Sequence, residues 1–112
     1  KCCIYLAALE DGEYKSSNKN FWNDVYGVNM SCMAPTVMRE PLIDCVSSNM
    51  ILSNSCKVVE LDLTTMKCSD QEFNSEYKLT CNFDDKVHAL VGYWDCEFSR
   101  LTKPVSLSTS PY

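Results

Sequence analysis

Apolar residues gather along this chain in short blocks divided by polar connections, and the blocks differ in period. Cys2–Glu10 is short and almost wholly apolar, which predicts a buried strand. Asp11–Lys19 is polar, carries Gly12 as a breaker and shows no helix or strand pattern of its own. From about Asn20 to Met33 the period changes. Trp22, Tyr26, Met30 and Met33 fall at i, i+4, i+8 and i+11, so a helix would gather them on one face. Phe21, Val25 and Cys32 widen that face. Gly27 interrupts the run, which predicts two short helices, closed by Pro35 and Pro41.

Strand patterns dominate the remainder. A short helical turn is expected around Ser48–Leu52. Cys56–Asp62 alternates, with Val58, Glu60 and Asp62 on one side and Lys57, Val59, Leu61 and Leu63 on the other. Cys68–Asn74 reads as a turn or short helix, Tyr77–Phe83 as a strand, and Asp84-Asp85 as a turn. Lys86–Leu101 reads as a long strand with a bulge at Gly92, ended by Lys103-Pro104. Several short strands with an inserted helical pair predict a mainly β fold, an antiparallel barrel or sandwich.

An arm bearing Phe21, Trp22, Tyr26 and Met30 has the composition of a buried protein–protein contact. The alternative is a core helix folded back onto its own domain, since apolar stripes at helical spacing are usually core. Asp11–Asn20 holds too little apolar surface to cover it.

Composition narrows the function classes. The chain has 112 residues and a formal charge of −5, with ten basic residues scattered and none in a run. That is the wrong balance for a phosphate-binding surface and argues against nucleic acid as a direct partner. No apolar run approaches the roughly 20 residues needed to cross a bilayer, and no signal peptide is expected at Lys1. One small domain, or a piece of one, would bury roughly 60–70% of its unfolded surface. Eight cysteines could mark a secreted disulfide scaffold. Their share, about 7%, lies below the range typical of such scaffolds. Cys2, Cys3, Cys45, Cys56, Cys81 and Cys96 sit among apolar residues, where a free thiol behaves as a small hydrophobe. Reduced, structural thiols are the expectation. Asn29-Met30-Ser31 forms a glycosylation sequon, but in the middle of the proposed contact face.

The search for reactive groups yields little. His88 is the only histidine, and its apolar strand makes a hydrogen-bonded structural role the expectation. No Cys-x-x-Cys occurs, and no second imidazole could complete a metal set. Glu10-Asp11 and Asp84-Asp85 are sequence neighbours, which read as strand-end and turn solvation. Three glycines form no phosphate loop. Arg100 could hold an anion at a strand end, though a solvated end is the simpler account. No catalytic, cofactor-binding or metal-binding residue is assigned.

Several motifs in order change this picture. Phe21-Trp22, Val25-Tyr26-Gly27 and Met30-Ser31 are followed by Glu40-Pro41-Leu42-Ile43-Asp44. Next come His88-Ala89-Leu90-Val91 and Ser108-Thr109-Ser110-Pro111. Together they resemble the C-terminal half of type I protein arginine N-methyltransferases, across the whole chain. Phe21 replaces the family's first Trp and Val28 its Phe, and both remain apolar.

The resemblance implies a partial antiparallel β-barrel with an inserted short helical arm. Residues 1–10 would be a strand, 11–44 the dimerisation arm and 45–112 barrel strands. The parent enzyme would transfer methyl groups from S-adenosylmethionine to arginine guanidinium groups of proteins, inside the cell, in cytoplasm or nucleus. The family's cofactor loop and paired glutamates precede this region, and a Thr-His-Trp loop follows it. By resemblance, then, the segment alone is inactive and binds no cofactor. Phe21, Trp22, Tyr26 and Met30 would make the homodimer contact. The competing reading is a free-standing β-domain that binds a protein partner through the arm.

Overall fold

The first strand, β1 (Cys2–Leu9), lies in the middle of a four-stranded antiparallel sheet, which explains why its sequence is apolar on both faces. The computed structural model describes all 112 residues, Lys1–Tyr112. After β1 come α1 (Gly12–Phe21), α2 (Ala34–Val37), β2 (Cys56–Leu61), β3 (Ala89–Phe98) and β4 (Val105–Ser108). Single 3-10 turns occupy Ser31–Met33, Ser48–Met50 and Cys68–Gln71. The sheet order is β2-β1-β3-β4, open, with β2 and β4 as edges.

Register assigns each face. Cys2, Ile4 and Leu6 pair with Cys96, Trp94 and Gly92, and share their face with Leu61 and Val59. The opposite face carries Cys3, Tyr5, Ala7 and Leu9 against Asp95, Tyr93, Val91 and Ala89. Tyr5 stacks on Tyr93 at 5.3 Å, and Tyr112 meets Tyr93 edge-on at 6.1 Å. The Ser108–Pro111 motif completes the β3 edge, with Thr109 N–H donating to the Trp94 carbonyl at 3.0 Å.

The core is small. Ala7, Leu9 and Ile51 form it, with Val46 and Val91 packed against them. Ile51 arrives there because Leu52 N–H donates to the Ala8 carbonyl at 2.9 Å and Glu10 N–H to the Met50 carbonyl at 2.8 Å. The buried Ser53 hydroxyl accepts from Ala8 N–H and donates to the Asn54 carbonyl, both at 2.8 Å, so no polar atom there is orphaned. Only nine of 112 residues are buried. The radius of gyration is 18.0 Å, against about 13 Å for a compact domain of this size. The accessible surface is 8764 Å², where a compact monomer would show about 6,200 Å². A surplus of this order is what stable interfaces bury.

Several expectations are corrected. Asp11–Lys19 is not patternless connection but most of α1. The helix has no buried residue, so no apolar period betrays it. Its signals are polar: the Asp11 carboxylate caps it by accepting from Tyr14 N–H at 3.0 Å, with Glu13 in the first turn and Lys19 in the last. Asp11→Ala is expected to destabilise the chain by roughly 0.5–2 kcal/mol, read from the urea midpoint.

The second correction concerns the arm, since Asn20–Met33 is not a helical pair. The helix ends at Phe21, a loop follows, and Pro35 opens α2 rather than closing a helix. A proline in the first turn loses no intrahelical bond. Third, Tyr77–Phe83 is no strand. It runs alongside residues 52–54, bridged only at Ser53–Cys81. Fourth, β1–β3 register runs unbroken through Gly92; the irregularity lies between β1 and β2, where Val58 has no partner. β3 is also shorter than Lys86–Leu101.

All eight cysteines are free. Cys96 is buried and Cys2, Cys3 and Cys56 are half-buried, as expected of apolar thiols. Cys45 and Cys81 are exposed instead, because their apolar neighbours lie on segments outside the sheet.

Candidate functional site

The arm leaves the sheet at a braced corner. Glu10 Oε1 accepts from Gly12 N–H at 2.9 Å and lies 3.5 Å from His88 Nδ1. The same ring nitrogen accepts from Asp11 N–H at 3.3 Å. His88 is therefore a hydrogen-bonded structural residue, just before β3 rather than within it. A Cβ on Gly12 would stand 3.0 Å from Glu10 Oε1 and 3.3 Å from His88 Cε1, so the corner is already filled.

Beyond α1 the chain closes a loop on itself. Met30 N–H donates to the Trp22 carbonyl at 2.9 Å. Inside it, Val25 and Val28 exchange backbone hydrogen bonds at 2.9 and 3.1 Å. Tyr26 and Gly27 form the tip with φ of 53° and 82°, the two positive values of a tight hairpin turn. Gly27 N–H also donates to Asp24 Oδ1 at 2.7 Å. Glycine adopts this conformation freely; tyrosine does so at a cost. The Tyr26 side chain is fully exposed.

Of the four contact residues expected from the sequence, Phe21 ends α1 while Trp22, Tyr26 and Met30 lie on the loop that follows, so they share no helical face. Phe21 is exposed and sits edge-on to Trp22, centroids 5.3 Å apart. Trp22 and Met30 are half-buried at the base. Trp22 Nε1 is shielded from solvent with no acceptor, an arrangement that costs energy. Tyr14, Val28 and Met33 are also exposed on this arm. Val28 was legible, since Val25-Tyr26-Gly27-Val28 places a glycine turn between two β-branched residues. Tyr14 was not, because it lies on the polar helix.

The far end of the sheet holds charge. Glu60 accepts from Lys57 Nζ at 2.7 Å and Lys1 Nζ at 3.0 Å. The Lys57 ammonium first, then Lys1, holds its carboxyl down at about 2. A depressed carboxylate contributes stability above pH 4.5 and loses it as pH falls toward 2. This pair is exposed and screened, so the expected readout is local: Lys57→Ala raises the Glu60 titration midpoint followed by NMR. Asp62 is also lowered, first by hydrogen bonds from Thr64 and secondarily by Arg100 at 3.6 Å. Arg100 is thus partly engaged by a carboxylate of its own chain.

Residues 1–112, arm and sheet together, match the family model described as the arginine methyltransferase oligomerization subdomain. The chain belongs to the protein arginine N-methyltransferase family. It is 43% identical over 111 residues to protein arginine N-methyltransferase 1 of Dictyostelium discoideum, covering 99% of this chain and 33% of that protein. With the Chlamydomonas reinhardtii methyltransferase 1 it shares 47%, covering 99% and 32%. The chain therefore spans about a third of these relatives. A solved structure of the Trypanosoma brucei PRMT1 enzyme–prozyme heterotetrameric complex with AdoHcy superposes with a TM-score of 0.85 at 30% identity, over 99% of this chain and 35% of that one. Arabidopsis thaliana protein arginine methyltransferase 10, 16% identical with a TM-score of 0.77, shares the fold.

Proposed function

We propose that this chain is the oligomerisation portion of an S-adenosylmethionine-dependent protein arginine N-methyltransferase, and that its arm docks on a second copy of the enzyme. The observation that carries this reading is Tyr26, a fully exposed aromatic held at positive φ on the tip of a closed loop. Backbone strain and a bare ring serve no purpose inside an isolated domain; both suit a contact surface. Phe21, Trp22, Tyr26 and Met30 make the contact, with Val28 and Met33 beside them. The open edges of β2 and β4 suit continuation of the sheet into a barrel by further strands. The parent acts on arginine side chains of proteins inside the cell.

The residues present do not fit the cofactor. Of three glycines only Gly12 stands at a strand-to-helix turn, where a cofactor phosphate or carboxylate is commonly cradled, and Glu10 and His88 fill that space. S-adenosylmethionine therefore belongs to the part of the enzyme outside this chain, and the chain's role is assembly. Calorimetric titration of the isolated chain is expected to show S-adenosylmethionine binding weaker than about 1 mM. Tighter binding would overturn the assignment of the cofactor site elsewhere.

The heterotetrameric Trypanosoma brucei relative frames the choice of partner, because it pairs enzyme with prozyme. Sedimentation of the full-length enzyme purified alone tests the proposal directly. A stable dimer supports self-docking, and a monomer that assembles only with a second, different chain refutes it.

A further inference from the structure

Cys2 and Cys96 face each other across β1 and β3. Their neighbours Lys1 and Glu97 exchange both backbone hydrogen bonds, each at 2.8 Å. Pairs alternate along an antiparallel ladder, so Cys2–Cys96 is the non-hydrogen-bonded pair, where opposed Cα atoms stand about 4.5 Å apart and side chains approach most closely. That spacing falls inside the range a disulfide spans. Both side chains project from the same sheet face, between Leu61 and Leu107 in the same cross-strand row. The remaining free thiols include four exposed ones, Cys32, Cys45, Cys68 and Cys81, none paired across a strand with another cysteine.

We propose that Cys2 and Cys96 form a dithiol site that closes to a reversible cross-strand disulfide when it meets a small disulfide oxidant such as oxidised glutathione. Cys2 is half-buried while Cys96 is 7% exposed, so Cys2 reacts first and Cys96 resolves. The Cys2 thiolate attacks one sulfur of oxidised glutathione, making a mixed disulfide and releasing one glutathione thiolate. Cys96, on losing its proton, attacks the Cys2 sulfur of that mixed disulfide and expels the second glutathione. Two protein thiols are oxidised and one glutathione disulfide is reduced to two thiols, with no other reactant needed. Burial first, and then the neighbouring Cys96, push the Cys2 thiol above its ordinary value. Little thiolate exists at neutral pH, so closure is slow there and accelerates as pH rises. Closure ties the strand that leads into the arm to the strand beside it.

The test treats the full-length enzyme with oxidised glutathione, followed by acid quench, alkylation, digestion and mass spectrometry. The expected result is a peptide linking Cys2 to Cys96, with neither residue retaining glutathione. The rate should rise about tenfold per pH unit between pH 7 and 8. Cys96→Ser should arrest the reaction with glutathione on Cys2, and Cys96→Val, which keeps the site apolar, should arrest it identically if serine impairs folding. Added reduced glutathione should restore both thiols. Glutathione retained on wild-type Cys2 without a linked peptide would overturn the proposal. So would full alkylation of both thiols after unfolding while Cys32 and Cys45 carry glutathione, or a closure rate that is flat with pH.

Discussion

Replacing Trp22, Tyr26 and Met30 together with alanine is expected to dissociate the full-length enzyme into monomers at concentrations where the wild type is assembled. A buried aromatic anchor at an interface costs roughly 2–4 kcal/mol when truncated. The two aromatic losses, with Met30 removed beside them, weaken the contact by about 4 kcal/mol, or roughly a thousandfold in Kd. Analytical ultracentrifugation across a concentration series measures this, and a methyl-transfer assay on the same samples reports whether activity falls with assembly. A triple variant that stays assembled would show that these side chains make no assembly contact. The geometry also supplies a cleaner single variant. Tyr26→Gly keeps the positive φ that the turn requires, relieves its strain and removes only the exposed ring. Its folding stability should be unchanged within about 1 kcal/mol while assembly weakens. Weakened folding together with unchanged assembly would reverse the assignment.

The second large effect lies in the core. Ile51→Ala is expected to destabilise the protein by about 2–5 kcal/mol, measured by urea denaturation. Ile51 belongs to a buried cluster with Ala7 and Leu9, against which only the smaller Val46 and Val91 are packed. With so few residues buried, the core has little reserve. A loss under about 1 kcal/mol would show that Val46 and Val91 repack to fill the site.

Much of the sheet was legible because β1, β2 and β3 announce themselves by apolar content or alternation. The motif Ser108–Pro111 carried the family resemblance, yet its pairing along β3 could not be read from composition. The helix α1 stayed hidden because periodicity detects burial, and α1 buries nothing. Tyr77–Phe83 misled in the opposite sense. Its alternation is real, but a strand needs a neighbour with free backbone groups, and only residues 52–54 lie alongside. Phe21, Trp22, Tyr26 and Met30 do lie close together along the chain from the end of α1, but the helical face expected to gather them is absent. Helical spacing and a hairpin tip can hold the same residues, and Gly27, a helix breaker by pattern, is half of the turn.

The two roots of the arm lie side by side. Glu10 is bonded to Met50, and Leu9 bridges Ile51, so everything between them departs from the sheet and returns to nearly the same point. Such a segment behaves as an insertion whose outer loop can vary in length and sequence while the scaffold keeps its register. Under the proposed docking role, the contact made by the loop tip and the pairing of the sheet then become separately adjustable properties. A lineage could retune which subunits recognise one another by rewriting the loop alone, and a protein engineer could transplant that loop between relatives to redirect assembly.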